Sequence, residues 1–288
     1  MSGTDHEETL SNMKRTRPMV SLRLENALVL LMALFAGSST VGAQETGQLK
    51  RKTGILPEVI QEEMVTRQAI CRRVAEPPIL DGKLDDRCWQ QAAVIDHFAS
   101  YWTKTPRPGT FAYLVWDDDA LYYAASMVDS ELRSFGTKRN DTLWEGDVFE
   151  LFFKPNAVAP EYFEFQANPR MLVFEMAFPR RGVDSLAFKT APPLGSKAVV
   201  ELKGTLDQPG DRDTGWSVEG RIPWSAFAAA GGKPKVGDEW LFALCRYDYG
   251  PSGTRPVLMS SAPLTEAKFH RYEDYGKLRF EGPLKPAQ

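Results

Sequence analysis

The sequence predicts an all-β protein: an antiparallel two-sheet β-sandwich of about ten strands, with one or two short helices. Three observations predict it. Short β-rich runs recur along the chain, Gly, Pro and Asp turns separate them, and several alternate apolar with polar residues at period two. A hydrophobic content of 43%, with 16 Phe and 7 Trp, is ample for a core. Strands with one polar face imply a sheet open to solvent or to a ligand.

Residues 1–43 have the layout of a signal peptide. Lys14, Arg15, Arg17 and Arg23 supply positive charge, and the apolar run Ala27–Gly37 follows. That run is too short to cross a bilayer, which takes roughly 20 residues. Val41, Gly42 and Ala43 supply the small residues of a cleavage site, so removal after Ala43 is expected. The mature protein is then secreted or periplasmic, with no membrane partner. Residues 44–73 are expected to be a linker with room for a short helix and a leading strand, 74–282 the sandwich domain, and 283–288 a tail. The net charge of −3 argues against a nucleic-acid partner. Of the three cysteines, Cys71, Cys88 and Cys245, at least one must stay unpaired within the chain, and spacing does not choose a pairing. Buried thiols acting as small apolar groups are the simplest expectation.

The domain opens on Pro77–Ala92, where Asp81-Gly82 makes a turn. Asp85 or Asp86 is placed to cap a short helix that anchors Trp89 in the core. Phe111–Trp116 and Leu121–Val128 form a hairpin across Asp117, Asp118 and Asp119, acids that lack the Gly and distal Glu of an EF-hand and so read as a solvated turn. Asn140–Phe153, NDTLWEGDVFELFF, passes from a turn through Trp144 and a triad of acids into a strand. Phe149, Leu151 and Phe153 share one face of that strand, and Val148, Glu150 and Phe152 share the other. Glu150 therefore lies on an otherwise apolar face, where a lone carboxylate needs a partner. Glu161–Asn168 alternates cleanly, with Tyr162, Glu164, Gln166 and Asn168 on the polar side. Met171–Phe178, Ala198–Lys203, Trp216–Ile222, Trp240–Tyr247 and Tyr275–Phe280 complete the strands, and a short helix begins near Trp224.

ILDGKLDDRCWQQA, LVWDDDALYYAASMVDSEL, NDTLWEGDVFELFF, YFEFQANP, GWSVEGRIPWSAF and YGKLRF, in that order, resemble carbohydrate-binding module family 9, a family similar to the DOMON-like sandwiches. The resemblance covers nearly all of Val74–Phe280. It implies a non-catalytic sugar-binding domain, often calcium-bearing and linked to polysaccharide catabolism. On this resemblance Trp144 is a stacking aromatic, Glu150, Gln166 and Asn168 are polar sugar contacts, and Asp129, Glu145 and Asp147 are calcium-associated acids. The chain departs from the best-known members, which close on the sugar with a second, late Trp. Here Val257–Pro263 holds no aromatic, leaving Phe269 and His270 as candidates for the missing wall. One stacked Trp contributes at most about 1.5–3 kcal/mol, so binding on the order of 0.1–1 mM is expected.

Other readings use other residues. Glu150 and Glu164 on adjacent strands could stand at the carboxyl spacing of a glycosidase, but no motif surrounds them. A haem-binding DOMON-like module would draw on Met127, Met171, Met176, Met259, His97 or His270. A structural or partner-binding sandwich with a decayed sugar site is the third alternative.

Overall fold

The computed structural model describes residues 66–105, 107, 109–183, 191–251 and 253–284. The expected signal peptide, most of the expected linker and residues 285–288 of the expected tail lie outside the described residues. Twelve strands appear in the order β1 (Gln68–Arg73), β2 (Ala99–Ser100), β3 (Thr110–Trp116), β4 (Ala120–Met127), β5 (Val148–Lys154) and β6 (Tyr162–Ala167), followed by β7 (Val173–Phe178), β8 (Lys197–Lys203), β9 (Gly215–Pro223), β10 (Glu239–Asp248), β11 (Val257–Ser260) and β12 (Gly276–Glu281). The leading strand expected inside 44–73 is β1.

The all-β class is correct, but the expected pair of antiparallel sheets is replaced by one mixed sheet. Its strands run β7-β6-β5-β10-β12-β1-β3-β4-β9-β8, with β11 on β10 and β2 on β11. β1 pairs in parallel with both β12 and β3, and so stitches the two halves together. The sheet curls, nearly closed and barrel-like, so that both halves pack on one core. Phe149, Leu151 and Phe153 of β5 meet Leu121, Tyr123 and Trp216 of the opposite half there. Glu175 ties the two ends: from β7 it accepts hydrogen bonds from Ser196 N at 2.8 Å and Ser196 Oγ at 2.5 Å, immediately before β8. Alternation misled the sheet count because an inward and an outward face exist whether a sheet is split in two or curled on itself.

Among the described residues the helices are short 3-10 turns at Arg87–Gln91, Leu143–Glu145, Trp224–Ala230 and Tyr272–Asp274. Asp86 stands at the expected cap position but caps nothing, since its Oδ2 accepts from Ile79 N instead. Trp89 is the expected core anchor, and its Nε1 donates to buried Glu219 at 2.7 Å. The same carboxylate accepts from Asp81 N and Gly82 N at 3.0 and 2.8 Å. Gly82 is obligatory in that turn: its φ is +87°, and a Cβ would lie 2.6 Å from Glu201 N. The three Asp of the β3–β4 hairpin form a local turn, in which Asp117 Oδ1 accepts from Asp119 N and Ala120 N at 2.8 and 2.9 Å. All three cysteines are free and buried, and burial pushes their thiols up, Cys88 to about 12.

Candidate functional site

Strand pairing sets a polar row into the outer face of the sheet. Cys245, Glu150, Gln166 and Phe174 stand side by side on β10, β5, β6 and β7. The next row holds Ala243, Phe152, Glu164 and Met176. Directly paired side chains point to the same side of a sheet, so Glu150, Gln166 and Glu164 form one cluster. Gln166 Nε2 donates to Glu150 Oε1 at 2.9 Å and to Glu164 Oε1 at 2.6 Å. Gln166 Oε1 is buried and has no hydrogen-bond partner.

Aromatic residues surround this floor. Phe152 meets the His270 ring at 5.3 Å and Tyr275 at 6.0 Å, both from the 262–275 segment. His270 Nδ1 shares a hydrogen bond with Tyr162 Oη at 2.9 Å, and its Nε2 lies 4.0 Å from Glu164 Oε2. Burial, and then the neighbouring Glu164, push the Glu150 carboxyl well above its ordinary value. Glu164 is raised by burial, against the opposing pull of His270 and Gln166. Trp144 is partly exposed at the β7 side, edge-on to Phe174 at 5.7 Å, and its backbone oxygen accepts from Tyr249 Oη.

Of the expected sugar contacts, Glu150 and Gln166 are brought together in the floor, with Trp144 at its rim. Asn168 is not part of that floor. Its buried amide holds the β6–β7 turn: Nδ2 donates to Phe135 O at 2.8 Å, and Oδ1 accepts from Arg170 N and Leu172 N. Phe269, a candidate second wall, is also buried. Glu164, expected on the polar side and beside Glu150 only in the glycosidase reading, joins the floor, as does His270, a candidate for the missing wall. The Glu150↔Gln166 and Phe152↔Glu164 register places Glu164, while only tertiary packing places His270.

The expected calcium acids divide. Asp129 and Asp147 meet, but the third member of their cluster is Asp248, with one oxygen from each lying within 4.8 Å of the others. Glu145 instead points into a cleft lined by Glu131, Arg133, Asp207 and Tyr249. Arg246 enters the acid cluster, its Nη2 3.0 Å from Asp129 Oδ2 and 3.2 Å from Asp248 Oδ2. Asp147 accepts from Arg133 N and Tyr249 N, both at 2.6 Å. Gly146 permits this approach, because a Cβ there would meet Phe135 N at 2.6 Å. One guanidinium faces three carboxylates, and burial pushes Asp147 up to about 8 and Asp129 to about 6. An oxygen-only donor set with surplus negative charge fits a hard cation such as calcium.

The methionines and histidines of the haem reading are dispersed. Met127 and Met259 pack in the main core, Met171 is exposed, and His97 pairs with Asp96.

The model of the carbohydrate family 9 binding domain-like proteins matches residues 79–283, most of the chain and all the strands from β2 to β12. The chain belongs to that family. As a family 9 domain it is a binding module, not an enzyme. Among solved structures, a family 9 carbohydrate-binding module from Caldicellulosiruptor kristjanssonii in complex with cellotriose is 18% identical, with a TM-score of 0.51 over 77% of this chain and 99% of that one. A candidate carbohydrate-binding protein from Bacteroides uniformis ATCC 8492 is 17% identical, with a TM-score of 0.54 over 75% of this chain and 100% of that one. At such identities these neighbours speak for the fold of the family 9 domain. No curated protein matches the chain at a significant level.

Proposed function

We propose that the chain is an exported, non-catalytic carbohydrate-binding protein that serves carbohydrate catabolism and takes sugar on the outer face of β10, β5, β6 and β7. The observation that carries this reading is the buried floor of Glu150, Gln166 and Glu164 beneath an aromatic rim, with Gln166 Oε1 an unpaired acceptor. A sugar matches that surface chemically. Its hydroxyls exchange hydrogen bonds with the two carboxyls and donate to the amide oxygen, and its C–H face rests on indole or phenyl. An unpaired buried acceptor costs about 1–3 kcal/mol, which a ligand hydroxyl recovers on binding.

The test is binding of the full chain to a glycan panel, with cellotriose included because a relative was solved with it. Wild type is expected to bind at least one glycan, and Trp144→Ala and Glu150→Ala to lose roughly tenfold or more in affinity. Failure of wild type to bind any glycan ends this reading in favour of a structural or partner-binding role.

Calcium belongs to the proposal as a structural ion. Asp129, Asp147 and Asp248 would hold it, and it would supply positive charge to an acid-rich corner.

A further inference from the structure

The outer face extends beyond β10, because β11 pairs with β10 and β2 pairs with β11. β2 therefore forms its margin, and the residues directly after β2 make a braced turn. Tyr101 N donates to Leu258 O of β11 at 2.7 Å. Lys104 N donates to Ser100 O at 2.9 Å, and Lys104 Nζ to Tyr101 O at 3.0 Å. At the tip stands Trp102, 68% exposed, the only large aromatic that exposed among the described residues.

A single exposed apolar side chain is ordinary. Trp102 differs in where its neighbours lead. Its ring meets Tyr101 at 4.9 Å, Tyr101 meets Phe269 at 4.6 Å, and Phe269 meets Tyr247 at 5.6 Å. Ring contacts thus run from Trp102 through Tyr101 and Phe269 to Tyr247, which packs against the same buried cluster as Trp144. We propose that Trp102 is a second sugar-stacking wall, so that the face takes a chain of sugar units and not one unit alone. This rests on the outer face being the sugar site.

Strand spacing supports a chain. Three spacings separate β2 from β5, on the order of 14 Å, and Trp144 leans further away, onto Phe174 of β7. That is wider than one pyranose ring. A ligand that meets both indoles must therefore span several units, with hydroxyls over the floor between them. The wall absent from Val257–Pro263 is supplied from a different part of the chain.

The experiment titrates the full chain with the tightest oligosaccharide from a panel of cello-, xylo- and manno-oligosaccharides, and with the corresponding monosaccharide. Trp102→Ala is expected to weaken the oligosaccharide roughly tenfold and leave the monosaccharide unchanged. Trp102→Phe should recover most of the loss, and Trp144→Ala should weaken both ligands. In wild type, the oligosaccharide and not the monosaccharide should slow oxidation of Trp102 by N-bromosuccinimide, read by peptide mass spectrometry. Unchanged oligosaccharide affinity in Trp102→Ala, with loss in Trp144→Ala, overturns the second wall and leaves the sugar site standing. No binding of any panel member by wild type overturns both.

Discussion

Glu150 is 2% exposed and shares the Gln166 amide with a second buried carboxyl, Glu164. Burial disfavours the charged form of each, and Glu164 adds to the rise at Glu150, so both hold their protons above the ordinary range. The sign for stability follows from proton counting. Folded protein binds more protons here than unfolded protein, so stability is greatest at acid pH and falls as pH rises above the ordinary carboxylate value of about 4.3. Glu150→Gln removes the charge and keeps a hydrogen-bonding group. Its expected outcome is a higher Tm at pH 7, by about 2–4 °C per kcal/mol relieved, and a shallower fall in Tm between pH 5 and 8. Thermal melts across that range check it, and a lower Tm at pH 7 would show that the ionised carboxylate is stabilising.

At the scale of elements, buried acids fix loops to strands. Glu219 on β9 is fully buried and holds three donors from the Asp81–Trp89 segment. Glu219→Ala leaves Trp89 Nε1, Asp81 N and Gly82 N without it, and each unsatisfied donor costs about 1–3 kcal/mol. The expected loss is about 3 kcal/mol or more, measured by urea unfolding, with little change in sugar affinity because the segment is remote from β5 and β6. The β6–β7 turn works in the same way: Asn168 orders the chain ahead of Val173, although alternation put it on the polar side and the family resemblance made it a sugar contact. Alternation describes a strand only while the strand lasts, and β6 ends at Ala167.

For the whole molecule, β1 and the acid cluster of Asp129, Asp147 and Asp248 are decisive. β1 lies between β12 and β3, so a chain begun at Val74 loses the strand that joins the two halves. Such a chain is expected to lose its cooperative thermal transition, whereas one begun at Thr66 should retain it, as read by calorimetry. If calcium occupies the acid cluster, chelation should lower the Tm by several degrees and calcium should restore it. An unchanged Tm would mean that Arg246 suffices as counter-charge. Asp248 escaped the sequence reading because it lies about a hundred residues from Asp147 and is brought near by the Tyr247↔Val148 register of β10 on β5. The 12-strand sheet was only partly legible for the same reason: β2 and β11 are too short to carry a periodic signal.

What the sequence determined by itself is local. The longer strands, the hairpin at Asp117–Ala120, and the division of β5 into a Phe149–Leu151–Phe153 face and a Val148–Glu150–Phe152 face follow from residue type and period-two geometry, properties that a few adjacent residues carry. Only the tertiary structure decided that His270 shares the floor with Glu150, that Asp248 and not Glu145 completes the acids, and that Trp102 is linked by ring contacts to Tyr247. Those meetings depend on which distant strands pair and in what register, and the hydrophobic burial that selects the pairing is a property of the whole curled sheet.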